Sequence, residues 1–332
     1  RGIQGASGAL ATLGWFVLTD PAYGAIGDGT ANDTNAWKAA VAAAKANGGG
    51  TIFVPKGRYL LDPWAQADAA TLALMEVPDN TTVVGDGPFA SVFVVNHVVH
   101  NADVDATHTS WRLIQCGDGC VMGGFAVDGA KASHVERSGI TSAGRNLTVN
   151  GDNCHLERLH SYNGYSSGNI EGWGIGVGLS LHTTVRDCKA YDNYGSGLSV
   201  NGQHTSNPSA DIIVDGVEAY GNTWAGVTIF GSQRVHLNNI HSYKNGKLAS
   251  QGNGINIEFA ANVTISNALL YQNWRVNLNL SGYSPNLNIS NVQTWSAGDD
   301  ATALAVAFAR ERMLKDGSVA ILRRAAEVRA RR

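Results

Sequence analysis

The sequence predicts an all-β chain folded as a single-stranded parallel β-helix of about ten turns over residues 15–296, with one short helix near its start. Three observations predict it. Six aromatic residues recur every 23 to 29 positions in the second half, apolar residues stand at fixed offsets before each of them, and the pattern switches to helical period over residues 34–46. Repeats of this length mark a solenoid, in which each turn buries its apolar face only by stacking on its neighbours.

The helix comes first. Asp33 precedes Ala36, Trp37, Ala40, Val41 and Ala44 at helical spacing, and Gly48, Gly49 and Gly50 supply the stop, so Asp33 is expected at the N-cap. The β-branched and aromatic run at 51–54 then reads as a strand, broken by Pro55 and Gly57 and resumed at Tyr59. The Gly27-Asp28-Gly29 triplet lacks both the lysine of a phosphate loop and the spacing of a dinucleotide fingerprint.

In the repeat, Tyr162, Tyr191, Tyr220, Tyr243, Tyr271 and Trp295 form one column. Three positions earlier stand Leu159, Cys188, Val217, Ile240, Ala268 and Val292, and six earlier Leu156, Val185, Val214, Leu237, Ile265 and Ile289. Two positions before each aromatic residue the column is mostly polar (His160, Lys189, Glu218, His241, Leu269, Gln293), as the outward face of alternating strands requires. Asn239, Asn267 and Asn291 align as a stack of turn amides.

A second strand of the form Gly-aliphatic-x-aliphatic follows each aromatic residue, over 174–179, 197–202, 226–231, 254–259 and 277–282. The long insertions fall on both sides of this sheet, before 174 and 254 and after 202. Insertions placed so raise walls around a ligand groove. Its outward columns read Thr148, Gly176, Ser199, Thr228, Asn256, Asn279 and Asn150, Gly178, Asn201, Phe230, Glu258, Ser281. Hydroxyls and amides with Trp173, Trp224, Phe230 and Tyr283 nearby suit a sugar chain, which offers hydroxyls to bond and ring faces to stack.

Glu258 is the only carboxylate on these columns. Hydrolysis of a glycoside needs two, and Glu171 and Asp211 are the distant alternatives. Elimination or epimerisation of a uronate needs instead a base, an acid and a group that neutralises the sugar carboxylate. Glu258, His204, Lys247 and Arg234 are the candidate catalytic residues; Asn201, Asn256, Ser199, Thr228 and Asn279 are candidate substrate ligands.

Composition narrows the classes further. A net charge of −3 argues against nucleic acid as partner, and no apolar run reaches the roughly 18 residues of a membrane span. Hydrophobic residues at 44% exclude wholesale disorder. Cys116, Cys120, Cys154 and Cys188 lack the spacing of a zinc site; Cys116 and Cys120 could bridge, but free thiols are expected.

The segments YGAIGDGTANDT (23–34), GGGTIFVPKGRYLL (48–61) and VVGDGP (83–88) resemble, in order and spacing, the opening of the pectate-lyase-like superfamily. That resemblance implies a right-handed parallel β-helix, with polygalacturonases, alginate epimerases and lyases, and phage tailspikes as relatives. It implies that lysine and arginine can serve as base and acid, and that Ca²⁺ or amides can mask the uronate carboxylate. Ca²⁺ would then sit beside Glu258 and Asn256. The epimerase D-P-H-E motif is replaced here by Gly176, Val177, Gly178 and Leu179, and the polygalacturonase signatures are absent.

The preferred reading is a polysaccharide lyase or C5-epimerase acting on a uronate-containing glycan. A tailspike-type glycoside hydrolase and a non-catalytic glycan-binding or virion fibre module are the alternatives, a trimer being expected for a tailspike. Either way the chain is expected to be secreted or virion-associated, although its opening RGIQGASGAL has no signal-peptide pattern. Residues 1–300 are expected to form the β-helix domain. Residues 301–332, with eight Lys and Arg against three Asp and Glu, should form a basic, Ala-rich helical tail.

Overall fold

The computed structural model of the chain describes residues 13–63, 76–96, 110–133, 143–166, 172–202, 208–246, 252–282 and 284–295. The predicted positions Glu171, His204, Lys247 and Tyr283 and the tail at 301–332 lie outside the described residues.

All paired strands are parallel, and each pairs with the strand one turn away. Eight strands form one sheet: Glu76–Val77, Ser110–Cys116, Ala143–Val149, Ile175–Gly178, Leu198–Asn201, Ala225–Phe230, Asn253–Glu258 and Val276–Ser281. The other eighteen strands make two ladders of ten that share their last two members, Ala261–Tyr271 and Asn288–Trp295. Every turn but the first and the last thus contributes to three faces of one right-handed β-helix, which runs from Trp15–Val17 to Asn288–Trp295. Among the described residues no helix is long and apolar enough to cross a membrane.

The core lies inside this tube. Leu147, Ile175, Leu198, Val227 and Ile255 point in from the eight-stranded sheet, and Leu156, Val185, Val214, Leu237 and Ile265 from a neighbouring face, all at most 1% exposed. Each such side chain contributes about 1.5–3 kcal/mol by leaving water. Helix α1, Thr34–Ala46, covers the first turn with the predicted face: Ala36, Trp37, Ala40, Val41 and Ala44 are buried, and Trp37 meets Phe93 edge-on at 5.0 Å. Asp33 is the N-cap residue but its side chain makes no cap bond. Its carboxylate instead accepts the backbone N–H groups of Ile26 (2.7 Å) and Gly27 (3.1 Å), pinning the Gly27-Asp28-Gly29 turn onto the cap.

Two stacks run the length of the repeat. The six predicted aromatic rings lie nearly parallel with centroids 4.9, 4.9, 5.0, 4.9 and 4.6 Å apart, so Tyr191, Tyr220 and Tyr243 do occupy adjacent turns. Two residues after each, at the corner, Asn193, Asn222, Asn245 and Asn273 form a buried amide ladder. Each side-chain N–H donates to the next side-chain oxygen, at 3.1, 3.0 and 2.9 Å. The sequence reading missed this ladder. The amide stack it did expect is present in part: Asn291 donates to Asn267, but Asn267 donates to Asn238 and Asn239 to Asp215.

Corners are turned by single residues in the left-handed region, where an L-residue costs roughly 1–2 kcal/mol and asparagine least. Asn153, His182, Asp211, Arg234, Asn262 and Asn286 form one such column, all at φ between 50° and 58°. All four cysteines are buried and free.

Candidate functional site

The eight-stranded sheet carries both predicted outward columns in register. Thr148, Gly176, Ser199, Thr228, Asn256 and Asn279 pair in sequence, as do Gly178, Asn201, Phe230, Glu258 and Ser281. Ala225–Phe230, Asn253–Glu258 and Val276–Ser281 begin and end one residue before the predicted spans, and Ile175–Gly178 and Leu198–Asn201 lie within theirs. The sheet also extends further towards the start than expected. Glu76 and Gln115 continue the first column, and Gln115 Nε2 donates to Glu76 Oε1 at 3.0 Å.

The two columns are not equally open. Gln115, Thr148, Ser199, Thr228 and Asn256 are all buried, which corrects the expectation of an open floor along the first column. Two of them are engaged internally: Ser196 and Thr228 share a hydroxyl bond of 2.8 Å, and Asn279 Nδ2 donates to Asn256 Oδ1 at 2.6 Å, whereas the buried Thr148 hydroxyl has no hydrogen-bond partner among the described residues. Trp173 is buried too, so it is not an open stacking platform. Its indole lies where a side chain at Gly176 would stand, and the Arg145 guanidinium sits 4.4 Å from its ring centroid. Gly176, one of the four residues standing in place of the epimerase motif, thus leaves room for a tryptophan.

The second column is the accessible one. Asn201, Phe230, Glu258 and Ser281 are half-buried, one above another, at the edge of the sheet. The Glu258 carboxylate makes no hydrogen bond or ion pair with another described residue, whereas Phe230 directly beneath it meets Phe259 edge-on, 6.0 Å between centroids and 86° between planes. Trp224 is half-buried on the opposite border of the sheet, and Trp274, which the sequence reading overlooked, is 51% exposed along the same border.

Arg234 is not on this surface. It follows the third strand as expected, but it sits in the next corner on the strand Gln233–Asn238, because left-handed residues at Gly231 and Arg234 turn the chain there. There its Nε and Nη2 donate to Asp211 Oδ1 (2.6 Å) and Oδ2 (2.8 Å). The Arg234 bonds hold the Asp211 carboxyl below its ordinary pKa, so it stays ionised and is no proton donor. Glu76, on the first column, is six turns from the level of Glu258, roughly 29 Å along the axis. Among the described residues Glu258 is the only carboxylate on the second column, whereas two-carboxylate hydrolysis needs a close pair.

Ca²⁺ takes six to eight oxygen ligands. Among the described residues no group of three or more His, Cys, Asp and Glu side chains could hold a metal, and the Asn256 oxygen already accepts from Asn279. Glu258 and Asn256 alone do not fit the ion. What the described site offers is one unpaired carboxylate, amides at Asn201 and Asn279, a hydroxyl at Ser281, and phenyl rings on two sides.

A family model described as rhamnogalacturonase A/epimerase, pectate lyase-like, matches residues 21–276. The chain is 27% identical over 286 residues to mannuronan C5-epimerase AlgE5 of Azotobacter vinelandii, covering 74% of this chain and 26% of that protein. It is 25% identical over 187 residues to alginate lyase 7 of the same organism, covering 53% and 20%. The chain therefore spans about a quarter or less of these relatives. Among solved structures, the enzymatically active domain of tailspike protein 2 from bacteriophage CBA120 is similar at a TM-score of 0.58 and 12% identity, over 90% of this chain and 44% of that one.

Proposed function

The chain belongs to the rhamnogalacturonase A/epimerase, pectate lyase-like family, and from that premise we propose that it acts on a uronate-containing polysaccharide by elimination or C5-epimerisation. The observation that carries this reading is Glu258: a carboxylate on the accessible column, bonded to no other described residue and with no second carboxylate on that column among the described residues. Hydrolysis asks for a pair; proton abstraction α to a uronate carboxylate asks for one base and a neutral or cationic environment for the developing charge. Asn201 and Asn279 can donate to that carboxylate as its charge spreads. His204 and Lys247 belong to this proposal as the proton donor or alternative base, and Tyr283 as a further sugar contact. Secretion or carriage on a virion follows from an extracellular polysaccharide substrate. The C5 proton leaves to the base in both reactions. Return of a proton to the opposite face gives the epimer, and loss of the O4 substituent gives the unsaturated sugar.

The test is incubation with polymannuronate and polygalacturonate in D₂O. Absorbance near about 235 nm, from the C4–C5 double bond conjugated to the carboxylate, marks elimination; deuterium at C5 by NMR without that absorbance marks epimerisation. Glu258→Gln should lower either signal by about 10²–10⁴-fold, the usual worth of a positioned acid or base. A chelator arm tests the ion at the same time. New reducing ends with neither signal would indicate hydrolysis and overturn the proposal.

A further inference from the structure

Nineteen non-glycine residues among those described have positive φ, and almost all are Asn, Asp or other polar residues at corners. Leu179 (φ 56°) and Phe259 (φ 50°) are the only large apolar ones. Both occupy the same position, the residue immediately after a strand of the eight-stranded sheet, and neighbouring turns place glycine there: Gly202, Gly231 and Gly282, the last two at φ 57° and 67°. Both are exposed, 36% for Leu179 and 43% for Phe259. A bulky side chain in this conformation is strained, and both side chains still keep a large share of their surface in water. Strain kept where glycine would relieve it points to use of the side chain by a ligand.

The surroundings agree. Phe259 follows Glu258, its ring lies 2.8 Å from where a Cβ at Gly282 would be, and Phe230 meets it edge-on. Gly282 therefore leaves the seat that the ring occupies. Leu179 lies three turns away on the same edge, roughly 14 Å along the axis. We propose that Phe259 and Leu179 form an apolar rail along the open edge of the sheet, on which the ring faces of a pyranose chain rest while Glu258 faces the reacting sugar. The rail rests on the uronate-glycan reading above and adds to it a path: the chain lies along the axis at the sheet's far edge, over the second column rather than the buried first.

Opposite effects on stability and binding separate this role from a structural one. Binding is read by affinity electrophoresis against polymannuronate, polygalacturonate and neutral dextran, and stability by urea unfolding. Phe259→Gly should lower affinity for the retained polyuronate about ten-fold or more while the unfolding midpoint stays level or rises. Phe259→Trp should keep affinity, and Leu179→Gly should weaken retention of long chains more than of trimers. Phe89→Gly, at an exposed ring beside His160 on another face, should change nothing. If the wild type retains a polyuronate and Phe259→Gly retains it equally, the rail is wrong and the function reading stands. If the wild type retains none of them, the function reading falls and the rail with it.

Discussion

Asn222 makes the density of bonding inside the corner ladder concrete. Its amide donates to Asn245 and to the Ala190 carbonyl, and its oxygen accepts from the backbone and side chain of Asn193, all out of contact with solvent. Asn222→Ala would strand buried groups on both neighbouring turns, at about 1–3 kcal/mol for each group left unpaired. Urea unfolding should show a loss of that size. A milder pH effect comes from the outer face. Burial, with Lys189 nearby, holds His160 below its ordinary value of 6.5. Burial alone would raise Glu218, but the bonds from Lys189 and Tyr243 outweigh it and hold this carboxyl below its ordinary value. Both shifts mean that the unfolded chain takes up protons first on acidification. Stability should be complete above pH about 6.5, fall as His160 is forced to charge, and fall again as Glu218 is protonated. Between about pH 7.5 and about pH 5.5 the thermal midpoint of the wild type should fall by more than that of His160→Gln, which has no imidazole to charge.

At the scale of elements, what could be read in advance was whatever follows a period. Helix α1 obeys the 3.6-residue repeat, and its predicted bounds of 34–46 match Thr34–Ala46. Both outward columns of the eight-stranded sheet obey a period of two and were placed correctly from Thr148 to Asn279. Corners obey no period. Left-handed residues turn the chain there, and so Arg234, expected to join the site from just after the third strand, belongs to the next face. The Asn193 to Asn273 ladder was missed because a buried corner amide has the same sequence appearance as an ordinary turn residue. Periodicity also gives direction without cover: it set Thr148 and Ser199 outward but could not tell that they are buried. Trp173 illustrates the remedy. Gly176→Val would put atoms into the space of its indole, costing about 1–3 kcal/mol through overpacking. Displacement of the ring should red-shift the tryptophan emission.

For the molecule as a whole, stability is close to a sum over turns and their interfaces. Residues 216–238 form one complete turn: Asp215 pairs with Asn238, and Gly216 and Asn239 both hold the left-handed corner position. Excising them joins Asp215 to Asn239 and should bring Tyr191 against Tyr243 and Asn193 against Asn245 with every column intact. The product should stay folded, with a parallel-β circular dichroism spectrum and a lower unfolding midpoint. Removal of 216–227 alone should give an insoluble chain, since the columns then fall out of step.

The same register governs how such a molecule can change over generations. Because aromatic rings, amides and corner residues all repeat together, its length can be altered inside the tube only in whole turns, like links in a chain. Fractional changes survive only in the excursions between strands, where the sequence is free of the repeat. Each added link would lengthen the open edge beside Glu258 by roughly 4.8 Å, so duplication of a single coding unit could alter the length of polymer that the molecule grips without redesigning any one contact.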